Sequence, residues 1–207
     1  MAIGYQYGTA GDDDINTDEL YNYYYPNYDS FYVYGGDGND TLTANIWYRI
    51  GGDTLLGEGG NDRLFVSAIG TTYAAVLASG GYGLDSVSSV MNLGSDPTFT
   101  KSYSTILDVT LSPIDGGSTL NLGIQDTIEI IVLKVNGEQK AWLTEELFIN
   151  LNAPSMSVAE AFSRATTDWA YYGFPSSTTS STNTTDDSSS TTASSNTITY
   201  EQGGVYR

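Results

Sequence analysis

A nine-residue unit that recurs between residues 8 and 88 limits what this chain can fold into more than any other feature. Two copies are complete: Gly35-Gly36-Asp37-Gly38-Asn39-Asp40-Thr41-Leu42-Thr43 and Gly80-Gly81-Tyr82-Gly83-Leu84-Asp85-Ser86-Val87-Ser88. A third, Gly57-Glu58-Gly59-Gly60-Asn61-Asp62-Arg63-Leu64-Phe65, departs once, with Glu58 at position 2. Gly51-Gly52-Asp53-Thr54-Leu55 and Gly8-Thr9-Ala10-Gly11-Asp12-Asp13-Asp14-Ile15-Asn16 are partial copies. Glycines at positions 1, 2 and 4 permit a turn with φ > 0, an aspartate stands at position 6, and an apolar residue at position 8 points inward. The glycine-rich half turns carbonyl oxygens and one carboxylate toward a common point, and the other half is a short strand. Hard oxygen ligands from a flexible loop suit calcium, but one turn supplies only about half of the six to eight oxygens that ion prefers. A second turn must therefore stack on the first.

The pattern resembles the parallel β-roll of the RTX (repeats-in-toxin) family of secreted calcium-binding proteins, over residues 8 to 88 at most. The resemblance implies Ca2+ as cofactor and odd-position carbonyls as ligands: those of Gly35, Asp37, Gly57, Gly59, Gly80 and Tyr82. Position 6 supplies the aspartates. Asp40 and Asp62 are 22 residues apart and Asp62 and Asp85 are 23 apart, a coil of two nonapeptides plus a small insertion each time. They are expected in one column, with an ion between Asp40 and Asp62 and another between Asp62 and Asp85. Asp53 belongs to the opposite edge, where Asp13 joins it if residues 17 to 34 make one coil. About two to four ions follow. Leu42, Leu55, Leu64 and Val87 fill the interior.

Lys and Arg total 7 against 25 Asp and Glu, for a net charge of −18. Such a surface repels nucleic acid and anionic lipid and attracts divalent cations. The chain has no Cys and no His, which removes disulfides, thiolate nucleophiles, His/Cys zinc sites and Ser-His-Asp triads. Carboxylate pairs remain, with Asp108, Asp115, Asp126, Glu129, Glu145 and Glu146 as candidate acids, each with an ordinary reading as a solvated surface group. No run of eighteen apolar residues is present, so no membrane span is expected. The N-terminus lacks the basic and apolar regions of a cleaved secretory signal. That agrees with the one-step export that the resemblance implies, and equally with a cytosolic or trimmed chain.

The expected fold class is mainly β: a short parallel β-roll (RTX-like), then a β-rich capping region with one amphipathic helix, then a Ser/Thr-rich C-terminal tail. The roll occupies residues 1–88 with a Tyr-rich insertion at 17–34 that holds eight aromatics. These cover the open end of the roll or form a patch for a sugar or a neighbouring subunit. Residues 89–175 carry strand-like runs at 103–111, 118–122 and 127–135, and a hairpin at Asn136-Gly137. They also carry a helical turn from Thr144, and a helix over 157–171 opened by Ser157 and Glu160. In residues 176–199, 18 of 24 are Ser or Thr, a composition too polar to pack a core. The tract reads as a linker or a glycosylated stalk, with Asn183, Thr184, Thr185, Ser188 and Ser189 as acceptors. Residues 200–207 form a strand-like tail that can pair with its own sheet, serve in export, or add to another subunit.

These features point to a secreted calcium-binding structural protein, a subunit of an extracellular filament, sheath, surface layer or adhesin that folds when it meets calcium outside the cell. A homo-oligomer or polymer is the expected partner state, with glycans as further partners. The alternatives are a calcium-stabilised enzyme acting on polysaccharide and a carbohydrate-binding module using the aromatic segment.

Overall fold

The computed structural model describes residues 2–20, 29–47, 51–70 and 74–165. The chain divides into two units, Met1–Ser176 and Ser177–Arg207, and the second lies outside the described residues.

The Gly-rich units opening at Gly8, Gly35, Gly57 and Gly80 carry the chain from a strand of one sheet to a strand of the other, while Gly51-Gly52-Asp53-Thr54-Leu55 lies within a single strand. β1 (Ile3–Tyr7), β3 (Ser30–Asp37), β5 (Gly51–Gly59) and β7 (Ala74–Tyr82) stack in parallel in one sheet. β2 (Asp14–Asn16), β4 (Thr41–Trp47), β6 (Arg63–Ile69) and β8 (Ser86–Leu93) stack in parallel in the other. Three full turns of a β-solenoid thus carry the chain from β1 to β7, each crossing from sheet to sheet at a Gly-Asp corner. Alternation does the rest: in β4, Leu42, Ala44 and Ile46 are buried, and in β6 Leu64, Val66 and Ala68 are buried against them in register. The position-8 residues Leu42, Leu55, Leu64 and Val87 are all within 1% of full burial. In-register columns such as Leu42–Leu64–Val87 form the solenoid core, where side-chain burial rather than strand propensity fixes the register.

After β8 the chain leaves the winding. β9 (Phe99–Tyr103) and β10 (Ile106–Leu111) run antiparallel at the far side of the first sheet. β11 (Leu120–Gln125) then returns beside β7, and β12 (Ile130–Val135) beside β8, both parallel. They add a final coil. β12 turns into β13 (Glu138–Leu143) at Asn136 and Gly137, whose φ values of 50° and 86° match the mirror-image turn that an Asn-Gly pair favours. α2 (Thr144–Ile149) and β14 (Met156–Ser157) follow. α3 (Val158–Ala165) begins where Ser157 Oγ accepts the Glu160 N–H at 3.1 Å, and it packs Ala161 and Phe162 against Ile130, Val132 and Ala141. The continuation of this helix to residue 171 lies outside the described residues.

Residues 17–34 do not make a coil of their own. β1 pairs directly with β3 and β2 with β4, so the tract is a connection, begun by the short α1 (Thr17–Glu19) and finished by the first half of β3. Phe31 is core, while Tyr32 and Tyr34 lie on the outer face of β3. Tyr21, Tyr23, Tyr24, Tyr25 and Tyr28 lie outside the described residues.

Candidate metal centre

The turn aspartates form a single column. Asp40, Asp62 and Asp85 retain 1%, 0% and 0% of their exposure. One carboxylate oxygen of each staples the stack: Asp40 Oδ1 accepts the Asp13 N–H at 2.8 Å, Asp62 Oδ1 the Asp40 N–H at 2.8 Å, and Asp85 Oδ1 the Asp62 N–H at 2.7 Å. The other oxygen, Oδ2, is buried in all three and has no hydrogen-bond partner. A buried carboxylate oxygen left unpaired is costly unless a proton or a cation neutralises it.

The charges respond accordingly. Burial pushes the Asp62 carboxyl up to about 6 and that of Asp85 up to about 7, against the opposing pull of the N–H donors on Asp40 and Asp62. The neighbouring carboxylates in the column push further in the same direction. Burial also raises Asp40 and Glu129.

The glycines at position 1 leave room for these oxygens. A Cβ placed on Gly57 would collide with Asp62 Oδ2 and stand 2.6 Å from the Gly80 carbonyl oxygen. At Gly35 it would collide with Asp40 Oδ2 and stand 2.7 Å from the Gly57 oxygen, and at Gly80 it would meet Asp85 Oδ2. Beside Gly35 and Gly57, therefore, an unpartnered carboxylate oxygen of one coil and a carbonyl oxygen of the next converge. The donors are all oxygen, the set a hard divalent cation takes. Among the described residues no group of three or more His, Cys, Asp or Glu side chains gathers at one point, so any ion here would be held by one carboxylate per turn together with carbonyls.

Position 3 is laid out differently. Asp37, Gly59 and Tyr82 are register neighbours, but the Gly59 and Tyr82 carbonyls already accept N–H groups from Gly38 at 2.7 Å and Gly60 at 2.8 Å. The Tyr82 side chain points to solvent.

One aspartate falls elsewhere than the spacing suggests. Asp13 adjoins Asp40, not Asp53, because no coil intervenes. Its Oδ2 is satisfied by the N–H and hydroxyl of Thr9, at 2.5 and 2.9 Å, so the first turn carries its own polar cap. Asp53, at the opposite edge, is buried, and its two oxygens accept from Thr17 Oγ1 at 2.8 Å and the Phe31 N–H at 3.0 Å. That network ties three coils together at the return edge, since Thr17 Oγ1 also accepts the Asn45 N–H at 3.2 Å.

One member of the column escapes sequence reasoning. Glu129 Oε2 accepts the Asp85 N–H at 2.7 Å and so takes the aspartate's part in the final coil. It is not a solvated surface acid. Thr127 Oγ1 accepts the Gly80 N–H at 3.1 Å beside it. The available signal is position: an acid immediately before a β-branched run, as Asp40, Asp62 and Asp85 each stand immediately before a strand. Glu146, by contrast, is ion-paired with Arg164 on α3. Asn183, Thr184, Thr185, Ser188 and Ser189 lie outside the described residues. Among the described residues no helix is long and apolar enough to cross a membrane. No protein-family model matches the chain, and no curated protein matches it.

Proposed function

We propose that this chain is a calcium-binding β-roll of the RTX kind, a structural protein of the extracellular space whose fold is completed by calcium. The observation that carries the reading is the column of three buried, unpartnered Oδ2 atoms on Asp40, Asp62 and Asp85, each lodged in a space kept open by a glycine. Oδ2 of each aspartate would hold an ion, with the carbonyls of Gly57 and Gly80 as partners for Asp40 and Asp62. Calcium there neutralises charges that otherwise repel along the stack, and its binding free energy becomes folding free energy. The excess of acids, −18 overall, favours cation uptake and opposes compaction without it. In a compartment poor in calcium the repeats stay loose and exportable, and at millimolar levels they set. With no chemistry assigned to the corners beyond holding an ion, the product is a rigid element suited to a filament, sheath or surface layer.

Circular dichroism titrated with calcium and then with chelator, read beside light scattering, tests this. Calcium should bring in β-structure that chelator removes, and scattering should grow with the folded form. Equal restoration by magnesium would overturn the ligand assignment, and a folded chain that stays monomeric at high concentration would overturn the assembly.

A further inference from the structure

The outer face of the first sheet carries a feature that cation binding leaves unused. β1 and β3 are in register with Tyr5 opposite Tyr32 and Tyr7 opposite Tyr34. Both pairs stack face to face: ring centroids are 5.5 Å apart with planes at 23° for Tyr5–Tyr32, and 4.8 Å apart at 13° for Tyr7–Tyr34. Tyr7 is 64% exposed, so a solution reagent reaches this stack. The next strand offers Thr54 and Leu56 at the corresponding positions, so each stack stops at two rings on that side. Tyr82 and Tyr103 are more exposed still, yet among the described residues neither stacks on another ring.

We propose that Tyr7 and Tyr34 form an oxidative coupling site, at which a peroxidase-type one-electron oxidant with hydrogen peroxide joins the two rings and locks the first coil to the second. Each phenol gives up one electron and its hydroxyl proton, leaving two phenoxyl radicals. Their ortho carbons, already stacked, form a carbon–carbon bond. The ring hydrogens at the joined carbons pass to the two oxygens and restore both phenols, while the peroxide is reduced to two waters. The chain loses two hydrogens in all. Phenoxyl radicals combine at the rate at which they meet, and a rigid stack between neighbouring strands supplies the meeting in advance. Tyr7–Tyr34 is favoured over Tyr5–Tyr32 because its rings are closer and more nearly parallel.

The test oxidises the dilute full chain in calcium with peroxidase and peroxide, then cleaves before aspartates, which separates residues 1–11 from residues 29–36. The expected product is those two peptides joined within one chain, lighter than their sum by two hydrogens, with blue dityrosine fluorescence. Tyr7→Phe, which keeps the ring and the packing, should remove most of the joined pair, any remainder running through Tyr5 and Tyr32, and Tyr82→Phe should leave it unchanged. Coupling chiefly through other tyrosines, coupling only between chains, or an undiminished link in Tyr7→Phe would each overturn the proposal. The same digest in chelator, beside circular dichroism, keeps this separate from the cation reading: the link follows the folded state, whichever condition maintains it.

Discussion

Asn39 and Asp40 are neighbours in one turn and staple it in opposite directions. Asp40 Oδ1 accepts the Asp13 N–H of the preceding coil, and Asn39 Oδ1 accepts the Asn61 N–H of the following coil at 3.0 Å. The amide ladder continues as Asn61 Oδ1 accepts the Leu84 N–H at 2.8 Å. One neutral oxygen is all that stapling requires, and asparagine supplies it with no buried charge. An aspartate at the adjacent position brings a surplus oxygen and a charge that stapling leaves unused, free for the second task of holding an ion proposed above.

Asp62→Asn separates the two tasks. The amide oxygen still accepts the Asp40 N–H, while the charge at Oδ2 is removed. In chelator at neutral pH the variant should be as stable as the parent or more so, since an unneutralised buried carboxylate is gone. In calcium at about a hundred times its dissociation constant the parent gains about 2.7 kcal/mol per site, which the variant forgoes at this one. Urea unfolding in both conditions measures it, and a variant destabilised equally in both would reduce Asp62 to a staple.

The pH dependence follows from the raised carboxyls. An acid whose pKa is higher in the fold than in the unfolded chain binds protons preferentially in the fold, so stability is greatest below the ordinary carboxyl range near 4. It is lost as pH rises through about 6 for Asp62 and about 7 for Asp85. In chelator the urea midpoint should be higher at pH 5 than at pH 8. Calcium should reverse that order, because the ion competes with the proton for the same oxygen, and its binding should release protons between pH 5 and 7. Overall self-repulsion acts in the same direction, so Asp85→Asn serves as the control. If it leaves the chelator profile as steep as before, the slope belongs to net charge.

Much of this arrangement was legible in the sequence because it is periodic. The spacing of Asp40, Asp62 and Asp85 places them in one column, and the apolar position 8 identifies Leu42, Leu64 and Val87 as core, because a solenoid repeats one local geometry. Where the period breaks, reading from local pattern fails. Residues 17 to 34 have the length of a coil, yet β1 pairs directly with β3 and β2 with β4, so Asp13 falls in the Asp40 column rather than at the edge of Asp53. The final coil was hidden for the opposite reason: β11 and β12 stack like the others, but their corner, Asp126-Thr127-Ile128-Glu129, has no glycine, and the side chains of Thr127 and Glu129 replace the missing contacts. The surplus oxygen of each aspartate could not be read at all, since it depends on how deeply the corner is buried.

Asn61→Ala should show the complementary behaviour to Asp62→Asn. It deletes the acceptor for the Leu84 N–H and leaves the three column carboxylates in place. The loss should be about 1 kcal/mol and the same in calcium and in chelator. A loss confined to calcium would mean that the amide ladder holds the ion's ligands in place, and that stapling and binding are one function.

Position 1 and position 2 of the third unit make the sharpest pair. Glu58 holds φ at 75°, where a side chain costs about 1–2 kcal/mol relative to glycine, partly offset by the freedom glycine loses on folding. Glu58→Gly should therefore be neutral or stabilising by up to about 1 kcal/mol, with calcium binding intact. Gly57 is not in that region, so Gly57→Ala adds no φ strain, but its Cβ would press on Asp62 Oδ2 and on the Gly80 carbonyl oxygen, costing stability and filling the space between them. Isothermal titration should show one fewer calcium bound in Gly57→Ala and the full number in Glu58→Gly. An unchanged count in Gly57→Ala would show that the space beside Gly57 holds no ion, and would remove that corner from the cation column.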